Sequence, residues 1–111
     1  MKIENHANFV ILEDERDDII DFASFIESQI PSKYKGQNVV LNLLKYGDLD
    51  LQKLLLFLKA STLHRKEKNS FVLVNDAINF DDVPDEMIVV PTLQEAKDII
   101  EMEEIERDLG F

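Results

Sequence analysis

The side chains best suited to handling protons or cations are the acidic pairs Asp17-Asp18, Asp81-Asp82 and Glu103-Glu104, and the Asp48-x-Asp50 spacing. General acid–base work needs two carboxyls converging on one substrate, whereas neighbours along a helix project to different sides. The adjacent pairs therefore read as solvated faces. Asp48 and Asp50 could hold a divalent cation weakly, but they lack the full ligand set of an EF-hand loop. His6 and His64 are the only histidines and there is no cysteine, so no triad, thiolate nucleophile or multi-histidine metal cluster can be assembled. A metallo-hydrolase or nuclease built on several histidines is excluded by composition, and no Gly-rich phosphate loop occurs. The expectation is a protein that is not an enzyme, with no catalytic residue, no metal and no cofactor.

Composition bounds the rest. The 111 residues suit one domain, 1–111, and 45% hydrophobic with 32% charged residues is too apolar for a disordered segment. Twelve Lys and Arg against 23 Asp and Glu give a net charge of -11, which repels phosphate backbones, so no nucleic-acid partner is expected. No stretch approaches the roughly 18 apolar residues of a membrane span, and Met1 to His6 carries no signal-like apolar run. A cytoplasmic protein without membrane association is the expectation.

The elements follow from hydrophobic spacing. Met1 to Glu4 and Phe9 to Glu13 are strand-like runs around the turn Asn5-His6-Ala7-Asn8, predicting an opening hairpin. Acid over Asp14 to Asp18 suits a helix start, with Asp14 or Asp17 as cap. Ile19, Phe22, Ala23, Ile26 and Ile30 then fall on one helical face, which Pro31 is expected to end. Val39 to Leu44 is nearly continuous apolar sequence, as in a central strand covered on both faces. After Gly47-Asp48-Leu49-Asp50, the residues Leu51, Leu54, Leu55, Leu58 and Thr62 predict a second helix closing in the basic stretch His64 to Lys68, whose charges favour the negative end of its dipole. Phe71 to Val74 and Met87 to Val90 are short strands, with Asp81 to Asp85 as loop between them. Thr92 and Glu95 make the S/T-x-x-E capping box of a C-terminal helix over 92–111, with Gly110 as its stop.

Pattern alone gives an α/β protein, helices on a mixed sheet, because parallel strands need crossovers long enough for a helix. The order of pieces resembles the STAS domains of the anti-sigma-factor-antagonist and sulphate-transporter family: hairpin, the Leu41-Asn42-Leu43 strand, an acidic turn, a helix, Phe71 to Val74, then Pro91-Thr92-Leu93-Gln94-Glu95-Ala96. The resemblance implies an STAS-like mixed sheet with an N-terminal hairpin and about three helices. Family members usually carry an extra helix between the last two strands, where Asn75 to Glu86 here is short and contains Pro84. Members regulated by phosphorylation carry Asp-Ser at the strand-to-helix turn, and a partner kinase modifies that serine. The matching positions are Asp50 and Leu51, and leucine has no oxygen to accept phosphate.

The resemblance therefore implies a protein-interaction or regulatory module without that switch, meeting a cytoplasmic protein partner through Asp48, Asp50, Leu51, Leu54 and Leu55. Two other readings stay open: a small anion or nucleotide at the N-terminus of the second helix, against which Asp48 and Asp50 argue, and a homodimer or larger homo-oligomer held by the C-terminal helix. There the apolar stripe Met102, Ile105 and Leu109, with Phe111 beyond it, could lie against its own domain or in another protein's groove.

Overall fold

Strict alternation of side chains in short β-runs builds a sheet with two buried faces, here in a computed structural model that describes residues 1–110. Five strands, β1 (Lys2–Asn5), β2 (Val10–Glu13), β3 (Val39–Asn42), β4 (Phe71–Val74) and β5 (Ile88–Val90), lie in the order β1-β2-β3-β4-β5. β1 runs antiparallel to β2 as the predicted hairpin, and β2 to β5 are parallel, with Val10 opposite Val39 and Val39 opposite Phe71. The apolar run read as a central strand is central. One face presents Val10, Leu12, Val39, Leu41, Phe71 and Leu73 to one core, and the other presents Phe9, Ile11, Val40, Val72 and Val74 to a second.

The first core is closed by α1 (Ile19–Lys33) and by the helical segment 51–66. All five apolar positions of the predicted α1 stripe are buried. Its cap is neither Asp14 nor Asp17 but Asp18, whose side chain accepts the Asp21 N–H at 3.1 Å. Pro31 does not end α1. It sits in the last turn and costs only the bond its missing N–H would give to Glu27, and the chain continues helically to Lys33.

Segment 51–66 is not one α-helix: α2 (Leu51–Leu54) passes through a 3₁₀ turn at Leu55–Phe57 into α3 (Leu58–Lys66). Three residues at the 3₁₀ pitch advance the helical phase by about 60° over an α-helix. The buried set is Leu54, Phe57, Ala60, Ser61 and His64, and of the predicted stripe only Leu54 is buried, while Leu51, Leu55 and Thr62 are exposed. Between β4 and β5 the only helical element is a 3₁₀ turn at Phe80–Asp82, in keeping with the short, proline-containing link read there.

His64 ties α3 to the α1–β3 link: it is 4% exposed, its Nε2–H donates to the Gln37 carbonyl, and its ring meets Phe71 edge-on at 5.9 Å. Burial pushes the imidazole below its ordinary 6.5, outweighing the Gln37 carbonyl and the Glu67 charge, which favour the cation. The unfolded chain thus binds the proton first, and stability falls as pH drops below about 6.5 towards the folded-state value. Urea midpoints measured between pH 7.5 and pH 5 should decline in the wild type and flatten in His64→Gln; parallel curves would reject the assignment.

The second core is closed by α4 (Leu93–Asp108), through Ala96 and Ile100. Thr92 Oγ accepts the Glu95 N–H at 3.1 Å, the N-cap half of the predicted capping box. Gly110 adopts φ +85°, and its N–H returns to the Arg107 carbonyl at 3.1 Å, the left-handed stop expected of glycine there. No helix among the described residues is long and apolar enough to cross a membrane.

Candidate functional site

The loops leaving the carboxyl ends of β2, β3 and β4 meet at one edge of the sheet, the edge where open parallel sheets place their ligand sites. Asn75, directly after β4, is fully buried and its amide is saturated. Its Nδ2 donates to the carbonyls of Leu43 (3.1 Å) and Gly47 (2.9 Å), and its Oδ1 accepts the N–H groups of Ala77 and Ile78, both at 3.0 Å. One side chain thus joins the turn after β3 to the loop after β4. Gly47 at φ +58° lets the chain reverse beneath it.

A second brace joins β2 to the same turn. Asp14 is 7% exposed and accepts the Tyr46 hydroxyl and the Arg16 N–H. Lys45 Nζ donates to the carbonyls of Asp14 (2.6 Å) and Arg16 (2.7 Å) and stands 3.3 Å from Asp17. Burial alone would raise the Asp14 carboxyl, but the bonds from Tyr46 and from the Arg16 and Asp18 backbone, with the Lys45 charge, hold it below its usual range. Burial and the adjoining Asp14 carboxylate push the Tyr46 phenol well above its ordinary value. At neutral pH the pair is carboxylate and phenol, a fixed hydrogen bond rather than an acid and base poised for transfer.

On this frame the five residues singled out from the sequence separate. Asp50 caps α2, its carboxylate accepting the Lys53 N–H at 2.8 Å, and that carboxylate already occupies the helix terminus an anion would need. Asp48 is exposed and makes no hydrogen bond or ion pair among the described residues. Leu54 is fully buried and supports the turn from beneath, together with Leu49, so it cannot be a contact for a partner. Leu51 and Leu55 are each 38% exposed. Sequence reasoning missed Leu56, equally exposed, and the two braces, since nothing in the spacing of Asp14, Tyr46 and Asn75 announces that three loops converge. No three His, Cys, Asp or Glu side chains gather as metal ligands would among the described residues. What the edge offers is an acidic, rigidly held turn carrying exposed leucines.

At α4, the stripe does not lie against its own domain: Met102, Ile105 and Leu109 are more than half exposed, on the side opposite Ala96 and Ile100. Phe111 lies outside the described residues. The chain matches no protein-family model, and a search of curated proteins gives no significant match.

Proposed function

We propose that the chain is a non-enzymatic, STAS-like interaction or regulatory module that docks a cytoplasmic protein through the acidic turn and the exposed leucines at the start of segment 51–66. The observation that carries this reading is the pairing of Leu51 and Leu55, open to solvent, with a turn pinned by Asn75, Asp14 and the Asp50 cap. Exposed apolar side chains on a rigid support lose little conformational freedom on binding. The hairpin, the Leu41-Asn42-Leu43 stretch leading into the turn, and the parallel β3–β4 pair support the STAS-like reading. With leucine after Asp50, binding is not controlled by phosphate at that position.

The test compares proteins recovered from native lysate by tagged wild type and by Leu51→Arg, quantified by mass spectrometry. Leu51→Arg alters an exposed position and should shift stability by no more than about 0.5 kcal/mol, while a specific partner is lost. Equal recovery by a folded Leu51→Arg protein would rule out this surface.

A further inference from the structure

We propose that the outer face of α4 is a second, independent docking surface, and that its occupant is an amphipathic helix carrying Lys or Arg beside its apolar residues.

The orientation of α4 is enforced. Ser70 Oγ–H donates to Glu103 at 2.6 Å, Asn8 Nδ2 donates to Glu104 at 2.6 Å, and the Arg107 guanidinium reaches Asn38 Oδ1 and Ser70 Oγ at 3.3 Å. Asn8, Asn38 and Ser70 stand at the amino ends of β2, β3 and β4, so α4 cannot roll to bury Met102, Ile105 and Leu109 without breaking all of these bonds. In its second half the helix therefore turns charged groups inward and apolar ones outward, the inverse of a helix whose outer face is only solvated.

The rim of the stripe identifies its complement. Asp98, Glu101, Glu106 and Asp108 are exposed around it against one exposed base of α4, Lys97, while Arg107 is spent inward. Acid in the last turn opposes the helix dipole, so helix stability does not account for it. A second copy of a chain with net charge -11 would set acid against acid across the seam. Positions 102, 105 and 109 follow the three-then-four spacing of a coiled-coil seam, which a helix fills. α4 and segment 51–66 cover opposite faces of the sheet, so this surface does not depend on Leu51.

The test is an NMR titration of the full chain with synthetic peptides about three heptads long, with leucine at the seam: one flanked by Lys, one by Glu, and one Lys peptide in shuffled order. The Lys peptide should give saturable shifts centred on Met102, Ile105 and Leu109. Ile105→Asp, and independently Met102→Asp, should weaken it at least about tenfold although each adds negative charge. The proposal is overturned by no saturable shift, by equal binding of the shuffled or Glu peptide, by shifts centred on Leu51 to Leu58, or by light scattering that shows a dimer which Ile105→Asp dissociates.

Discussion

Asn75→Ala is expected to lower folding stability by about 3–5 kcal/mol, a large part of the roughly 5–15 kcal/mol a domain of this size commands. The amide makes four bonds to backbone groups, two of them to carbonyls on a turn 28 and 32 residues earlier. Alanine leaves those groups unpaired at about 1–3 kcal/mol each where water cannot reach, with partial relief near the exposed Ala77. Asn75→Asp is the sharper companion. It keeps an acceptor for Ala77 and Ile78 but aims a carboxylate oxygen at the Leu43 and Gly47 carbonyls, and should be at least as damaging. Urea denaturation gives the loss, and hydrogen exchange at 43–50 shows whether the turn loosens first. A loss below about 1 kcal/mol would mean that the turn holds its shape without the amide.

Phe57→Ala is the second large effect, at about 3–5 kcal/mol. Phe57 is fully buried and meets Phe22 of α1 edge-to-face at 6.1 Å, so truncation removes core contact and leaves a cavity between two helices. Leu55→Ala and Leu56→Ala, at neighbouring exposed positions, should cost less than about 1 kcal/mol. The contrast tests the phase of segment 51–66, because a helix in the phase read from the sequence would make Leu55 the costly position. Denaturant midpoints of the three variants decide between these registers.

What was legible in the chain, and what was not, separates along physical lines. Strands β2 to β4 declared themselves because β-favouring residues that must fill both cores leave few polar interruptions. The α1 stripe and the Thr92 cap are local signals and the structure carries both. Pro31 is not the stop its residue type suggests, since a missing donor in a last turn costs one bond rather than a helix. The phase of segment 51–66 is hidden because a leucine-rich run offers more than one apolar face at helical spacing. At α4 the sequence could not choose between inward and outward for Met102, Ile105 and Leu109. The answer lies in Asn8, Asn38 and Ser70, up to 96 residues away from their partners on the helix. Likewise Asp14 read as a helix cap, and its bond to Tyr46 spans 32 residues. Local periodicity is visible in a sequence; a hydrogen bond between distant loops is not.

The two margins of the sheet constrain how this protein can be held by others. β1, the outer strand of the hairpin, is exposed along its whole length and carries Lys2 and Glu4, and β5 is only three residues long and runs into Pro91, which has no amide hydrogen to offer. Charged and very short edges of this kind discourage an incoming chain from extending the ladder. Strand addition, fibril seeding and strand exchange between copies are thereby disfavoured, and contact with other proteins is left to side chains on the helices and turns.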